Sequence, residues 1–190
     1  MPMLAPPVAG AYTLDKAHAS LVFSLSHLGL SHYTAQFERF DARLQFDPAR
    51  PTASTVTATV DVASLKLPSP PEGFTATLLG AQWLDAKAYP EMRFRSTKVE
   101  ALGAQRLRIT GDFTLHGVTQ PVVLNATYNG GYAGHAMEPN ARAGFSARGS
   151  FKRSTFGIAN GVPPPGSSFG LGDNVEFAIE AEFSGPPLRK

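Results

Sequence analysis

The chain has 190 residues, of which 43% are hydrophobic and 17% are charged, and its formal net charge is +2. This length fits one domain with an ample core, and the absence of a basic run argues against nucleic acid as a partner. The chain has no cysteine, which excludes disulfides, thiolate catalysis and cysteine-bound zinc, and it has no apolar run long enough for a transmembrane helix.

Residues 1–11 form a proline- and alanine-rich lead that we expect to be flexible. The lead has no basic n-region and is too short for a complete signal peptide. However, Ala9-Gly10-Ala11 has the A-x-A form of a cleavage site. We therefore expect a periplasmic protein if the lead is the remnant of a truncated or processed signal, and a cytoplasmic protein otherwise.

The first structured segment is an alternating strand. Leu21, Phe23 and Leu25 share one parity, and hydroxyl residues occupy most positions of the other. A strand with this pattern buries one face and exposes the other to water. His27 continues the apolar parity, so we expect its imidazole to face inward where the strand ends.

The second strand contains a change of parity. Ala35 and Phe37 share one parity, whereas Phe40 and the apolar residues after it share the other. Such a change is typical of a β-bulge, here near Glu38-Arg39. Because a bulge can redirect a side chain, Arg39 could turn toward the interior or remain a surface cation.

Six further alternating segments follow, and one short helix interrupts them. In residues 74–84, Phe74, Leu78 and Ala81 are spaced i, i+4, i+7, with Trp83 alongside, which indicates a helix that its threonines and Gly80 weaken. The alternating segments cover residues 55–62, 92–97, 106–116, 122–128, 142–151 and 175–183.

The pattern therefore predicts an all-β fold with eight antiparallel strands and one helix near residues 74–84. Residues 12–184 would form the single domain, and residues 185–190 a loose tail. One-sided strands of this kind form either a sandwich or a closed barrel, whose interior is filled by side chains or holds one ligand. Taken alone, the phenylalanine-rich inward faces favour a packed core, because packed interiors are the norm.

Several motifs in colinear order resemble one family, the YceI-like polyisoprenoid-binding proteins. The resemblance implies a lipocalin-like barrel that holds a long isoprenoid tail, which favours a hollow interior. Residues 74–80 depart from the family pattern, because the charged and histidine residues usual there are absent. The matching segments are Leu14–Ser20, Ser26–Ser31, Phe37–Asp41, Asp85 with Tyr89-Pro90 and Phe94, Thr110–Thr119, Ala143–Ala147, Arg153–Gly157 and Leu171–Val175.

The candidate ligand-binding residues are inward apolar side chains and a few polar groups. Arg39 and Arg153 could pair with a pyrophosphate or a quinone oxygen at the barrel mouth, or could be surface cations. His27 could face the ligand or bond a turn carbonyl. The full set is Phe23, Leu25, His27, Phe37, Arg39, Phe40, Leu78, Trp83, Phe94, Phe113, Phe145, Phe151, Arg153, Phe156 and Phe177.

Two other patterns are interpreted as structural. His18 follows an aspartate at a strand start, where a structural hydrogen bond is expected, and its spacing from His27 and His32 matches no metal-ligand pattern. Gly166–Gly170 matches G-x-S-x-G but lies between prolines and glycines, so we expect a flexible loop and no hydrolase nucleophile.

The residues and the resemblance together predict non-enzymatic binding, transport or storage of a polyprenyl quinone or polyprenyl phosphate. No cofactor is expected beyond the bound isoprenoid lipid, and a homodimer is left open. One alternative is an enzyme that acts on a sequestered lipid with His27 or His18 as general base. The other is a barrel that serves as a protein-interaction module.

Overall fold

Antiparallel strands make up most of residues 4–188, the part of the chain that this computed structural model describes. The strands are β1 Gly10–His27, β2 Ser31–Phe37, β3 Phe40–Phe46, β4 Thr55–Asp61, β5 Leu65–Lys66, β6 Glu91–Ala101, β7 Arg106–Leu115, β8 Val118–Tyr132, β9 Asn140–Lys152 and β10 Asn174–Pro187. The single α-helix in this range is α1 Phe74–Leu79, and short 3-10 helices cover Pro51–Ala53, Val62–Ser64 and Arg153–Phe156.

The sheet closes on itself through its long first strand. β1 pairs with β10 along one edge and with both β2 and β3 along the other. Since β2 and β3 are one strand interrupted at Glu38-Arg39, the barrel has eight strands, and the two-residue β5 only extends the edge of β2. The predicted eight-stranded antiparallel barrel with one helix and a bulge at this position is confirmed.

The helix is shorter than predicted. It ends at Leu79, and the backbone of Gly80 is extended, with its N–H bonded to the Thr77 carbonyl. Residues 80–84 continue as turns, in which the Leu84 N–H donates to the Leu78 carbonyl (3.0 Å). Glycine has a low helix propensity, so Gly80 does not prolong the helix. At the other end, the N-cap residue Gly73 has no side chain that could cap and stabilise the helix.

The described parts of both termini are held against the barrel, beyond the boundaries predicted at residues 11 and 185. β1 already begins at Gly10, and the Ala133 N–H donates to the Ala5 carbonyl (2.8 Å). β10 continues to Pro187, and the Leu188 N–H donates to the Pro139 carbonyl (2.7 Å). Residues 1–3 and 189–190 lie outside the described range, and the compartment stays a prediction.

A wide bulge bends β1 between its two partners. Leu14 pairs with Phe183 of β10 and Ala19 pairs with Ala181, so residues 15–18 stand opposite Glu182 alone. The bulge divides β1 into a first part that pairs with β3 and a last part that pairs with β2.

The Asp15 carboxylate holds this bulge. Its Oδ1 accepts a hydrogen bond from the Ala17 N–H (3.1 Å), and its Oδ2 lies 3.0 Å from His18 Nδ1 and 2.7 Å from Arg142 Nη1. Hydrogen bonds from Arg142 and then His18 lower the pKa of Asp15 to about 2. His18 therefore has the structural hydrogen bond that was expected of it.

The barrel has two distinct ends. At the upper end, where β1 finishes at His27, lie the β1–β2 turn, α1 and the loop of residues 158–172. At the lower end, where β1 begins, lie the loops of residues 47–54, 102–105 and 133–139 together with the described termini. The hydrogen-bonded β-strands run between these ends and carry their apolar faces inward.

Candidate ligand-binding cavity

The barrel encloses a cavity of about 680 Å³, which lies within the ~300–1,000 Å³ that small-molecule sites usually occupy. Its wall is almost entirely apolar, and the described lining includes no aspartate or glutamate. The interior is therefore hollow, as the resemblance implies, and the packed core favoured by composition alone is wrong. The polar residues on the wall are His27, Tyr33, Ser54, Thr55, Trp83 and Arg153.

Glycines opposite aromatic residues help to keep the interior open. Gly149 of β9 pairs with Phe177 of β10, and a Cβ at Gly149 would lie only 2.5 Å from the Phe177 ring. Gly111 of β7 pairs with Ser96 of β6, and a Cβ at Gly111 would lie 2.3 Å from the ring of the nearby Phe94. Because each ring covers a glycine, it lies along the wall, where a larger neighbour would push it toward the cavity axis.

An aromatic cluster closes the lower end. The Phe46 ring lies 5.3 Å from Tyr128, 5.4 Å from Phe145 and 5.8 Å from Tyr12, measured between ring centroids. Tyr12 is 1% exposed, and its hydroxyl donates to the Val8 carbonyl (2.6 Å). Burial, followed by the effect of Tyr128, raises the pKa of Tyr12 to about 12. This end of the barrel has the packing of an ordinary core.

All but two of the predicted ligand-binding residues line the cavity, the exceptions being Arg39 and Phe156. The lining residues among them are Phe23, Leu25, His27, Phe37, Phe40, Leu78, Trp83, Phe94, Phe113, Phe145, Phe151, Arg153 and Phe177.

Arg39 lies on the outer surface, so of the two alternatives the surface cation is correct and the inward orientation is wrong. Its side chain is 62% exposed, and its Nε and Nη2 lie 2.8 and 2.7 Å from the Asp61 carboxylate. The backbone N–H of Arg39 donates a hydrogen bond to the Ser64 hydroxyl oxygen, and this bond stabilises the bulge. Water and the Asp61 carboxylate both favour the guanidinium outside, where burial would cost its solvation.

Phe156 supports the wall from behind. It is 1% exposed and packs against Phe113 and Phe151, with ring centroids 5.4 and 5.3 Å apart. Phe156 therefore acts on the cavity through the two rings that line it.

Arg153 is buried, and four of its five N–H donors bond backbone carbonyls of the protein. Nε donates to the Gly172 carbonyl (3.0 Å), Nη1 to Ile158 (2.9 Å) and Asn160 (2.7 Å), and Nη2 to Leu171 (2.6 Å). Burial lowers the pKa of Arg153, and Asp173 partly opposes this shift. Of the two alternatives for Arg153, the surface cation is wrong, because Arg153 is buried and binds the two ends of the loop that covers the upper end of the barrel.

The loop of residues 158–172 is anchored to β1 as well. The Leu28 N–H donates to the Gly170 carbonyl and the Gly172 N–H to the Ser26 carbonyl, both at 2.8 Å. His27 and Leu171 form an isolated bridge between these bonds. No strand precedes and no helix follows the G-x-S-x-G run within this loop, so it lacks the geometry of a nucleophile elbow.

The β1–β2 turn brings a leucine to the upper opening. Leu28 has a φ of 54° and Gly29 a φ of 69°, values that hairpin turns usually fill with asparagine and glycine. A leucine in this left-handed conformation costs about 1–2 kcal/mol, yet its side chain lines the cavity. The strain suggests that an apolar group at this position matters more than turn stability.

Sequence reasoning missed several residues at this opening. Leu28, Phe74, Leu84 and Leu171 line the cavity. Leu28, Leu84 and Leu171 lie in turns, where strand or helix periodicity gives no indication of side-chain direction. Phe74 belongs to the predicted helical pattern, so that pattern could have found it.

The histidines do not form one cluster. His27 and His32 lie at the upper end, whereas His18 lies at the β1 bulge. His18 lies with Asp15 and Glu182, whose potential ligand atoms are within 4.8 Å of one another. Arg142 and His18 already occupy Asp15 Oδ2, so this group is an ion-pair network that holds the bulge.

None of the described helices has the length and apolar character needed to cross a bilayer.

Known proteins resemble this chain in sequence and in fold. A UPF0312 protein of Pseudomonas putida strain W619 is 39% identical over 153 residues, which cover 80% of this chain and 78% of the relative. The crystal structure of Burkholderia cenocepacia BcnA has a TM-score of 0.75 at 25% identity and covers 89% of this chain and 98% of its own.

A third comparison shows the fold alone. A polyisoprenoid binding domain from Saccharophagus degradans has a TM-score of 0.62 at 14% identity, with 97% of this chain and 100% of that chain covered. The family model for the YceI-like domain matches residues 12–183, which span the barrel from β1 into β10. On these grounds the chain belongs to the YceI-like family.

Proposed function

We propose that the protein binds one long-chain isoprenoid lipid in its barrel and carries or stores it without chemical change. The observation that supports this proposal most is the hollow, nearly all-apolar interior of about 680 Å³. Each buried CH₂ group contributes about 0.8 kcal/mol, so a long tail binds tightly with few polar contacts. The fold shared with the Saccharophagus degradans polyisoprenoid binding domain supports the same ligand class.

The wall chemistry favours an uncharged head group, such as a quinone, over a phosphate. Arg153 is the only lysine or arginine on the described cavity wall, and four backbone carbonyls use four of its five N–H donors. Arg39, the other cation expected at the mouth, is paired with Asp61 on the outside. A phosphate in the cavity would lack the free cationic partner that a buried anion needs.

The same wall gives little support to catalysis. General acid–base chemistry needs a positioned titratable group, usually oriented by a second one. His27 lines the upper opening, but no carboxylate lines the described wall to orient it. His18, the other candidate base, is bound to Asp15 at the outer bulge.

The experiment introduces a phenylalanine that projects into the cavity and compares it with the same substitution at the neighbouring, exposed residue. Ala58 of β4 lines the cavity, whereas the adjacent Thr57 is exposed. Delipidated wild type, Ala58→Phe and Thr57→Phe are each loaded with a polyprenyl quinone or with a polyprenyl phosphate of the same tail, and native mass spectrometry counts bound lipid.

We expect wild type and Thr57→Phe to bind one quinone each, and Ala58→Phe to bind at least about tenfold more weakly because the added ring occupies tail volume. Equal binding by Ala58→Phe would show that the lipid lies elsewhere. A preference for the phosphate would refute the assignment of an uncharged head group. Chemical conversion of the loaded lipid would favour the enzymatic alternative.

A further inference from the structure

Large apolar side chains project into solvent around the upper opening of the cavity. Leu30, in the β1–β2 turn, is 82% exposed, and Phe169, in the loop of residues 158–172, is 78% exposed. Phe74, at the start of α1, is 39% exposed and also lines the cavity. The apolar surface of the cavity is therefore continuous with apolar surface on the outside.

The segments that carry Leu30 and Phe169 lie against each other. A Cβ at Gly29 would lie 2.9 Å from the Ser168 Cβ, and the Leu28 N–H donates to the Gly170 carbonyl. Leu30 directly follows Gly29, and Phe169 directly follows Ser168. The two apolar side chains therefore belong to adjacent segments. Two exposed apolar groups on touching turns form a patch, which single scattered residues do not.

The upper rim, defined as residues 27–34, 73–84 and 158–172, contains no aspartate, glutamate, lysine or arginine, although such residues make up 17% of the chain. The lower end differs, since its loops carry Asp47, Arg50 and Glu138. Charged side chains are costly near the hydrocarbon region of a bilayer, whereas leucine and aromatic residues are favourable there. An uncharged rim with projecting apolar side chains matches the chemistry of a lipid surface.

We propose that the upper rim docks the protein onto a lipid bilayer, with Leu30 and Phe169 inserted at the boundary between head groups and acyl chains. Docking would place the cavity opening against the membrane, so that a lipid tail could pass between bilayer and barrel without crossing water. The transfer of a lipid tail rests on the proposed function. Docking itself does not, because it can be measured with or without a lipid in the cavity.

The test measures flotation with phosphatidylcholine vesicles. Burial of two large apolar side chains contributes enough that Leu30→Ser/Phe169→Ser should reduce the vesicle-bound fraction at least about tenfold. The control is Leu102→Ser/Met137→Ser at the lower end, where these residues are 42% and 92% exposed. The control should float like wild type, even though it also removes two exposed apolar groups.

A second readout uses the only tryptophan. Trp83 lies within the rim and lines the cavity, so vesicles of brominated phosphatidylcholine should quench its fluorescence in wild type and in the control. They should not quench it in the rim variant. Because insertion is apolar, high salt should leave flotation unchanged, whereas charge-driven binding would weaken.

Three results would overturn the proposal: equal flotation of the rim variant and the control, loss of flotation at high salt, or a rim substitution that converts an oligomer to a monomer on gel filtration. The last would identify the rim as an interface between copies of this chain. Native mass spectrometry separates this failure from failure of lipid binding, since Leu30 and Phe169 do not line the cavity and their variant should still hold its lipid.

Discussion

The two ends of the barrel are built from the same strands but are filled in opposite ways. At the lower end, Tyr12 packs edge to face against Phe46, and Phe46 also packs against Tyr128. At the upper end, the buried Arg153 and its backbone partners hold a loop over an apolar opening. The lower end thus resembles a folding core, and the upper end resembles a binding site whose stability depends on polar anchors.

Because the two ends differ in this way, we expect the residues that determine folding stability to be different from those that determine lipid binding. Substitutions of lower-end residues that do not line the cavity, such as Tyr12, should change the free energy of unfolding and leave the bound lipid unchanged. Substitutions at the upper end or in the wall should change the loop or the cavity. Four predictions test this separation, from the largest expected effect to the smallest.

Replacement of Tyr12 by alanine should lower the free energy of unfolding by about 3–5 kcal/mol, because a fully buried ring leaves a cavity. Tyr12→Phe keeps the ring and loses only the hydrogen bond to Val8, so it should cost about 1 kcal/mol. Denaturant titration measures both variants. If Tyr12→Ala were as stable as wild type but empty of lipid, the lower end would be the functional one.

Replacement of Arg153 by methionine should cost about 2–3 kcal/mol, because the carbonyls of the loop of residues 158–172 lose a charged donor. Hydrogen exchange should accelerate in that loop and not in β3 or at the start of β1. Arg148→Met, an exposed change on the preceding strand β9, should stay within about 0.5 kcal/mol of wild type. Unchanged exchange in the loop would show that Arg153 does not anchor it.

Replacement of Gly149 by alanine should cost about 1–3 kcal/mol and weaken lipid binding, because the methyl group meets both the Phe177 ring and the Val123 carbonyl. Gly144→Ala on the same strand is the control, since its Cβ would meet no atom closer than 3.9 Å. Denaturant titration and lipid counting apply to both. Equal lipid loading would mean that the Phe177 ring does not set the cavity width.

Replacement of Arg142 by methionine should cost about 1–2 kcal/mol at neutral pH, because it removes the main cause of the low Asp15 pKa. The folded pKa of about 2 lies below the unfolded value near 3.8. The stability from Asp15 is therefore complete above about pH 4 and is lost as the pH falls toward 2. The difference between wild type and Arg142→Met should shrink across that window, whereas Arg148→Met should show no such trend.

The alternating pattern of single strands was enough to predict most of the cavity wall. Phe23, Phe113 and Phe177 were assigned correctly to the inward face, because the direction of a strand side chain depends only on parity. Parity could not place Arg39, since a bulge allows either direction and only the position of Asp61 selects the outside. Parity also could not identify Leu28 and Leu171 as lining residues, because both lie outside the regular strands, where side chains do not alternate between two faces.

By itself, the sequence determined eight one-sided strands, the bulge at Glu38-Arg39 and the apolar character of the interior, because these are local properties of the chain. The tertiary structure decided whether that interior is hollow, because the answer depends on pairs such as Gly149 and Phe177 on different strands. It also decided that Arg153 binds the loop and that the turn carrying Leu30 lies against the loop carrying Phe169. The second contact joins segments far apart in the chain, and only closure of the barrel brings them together.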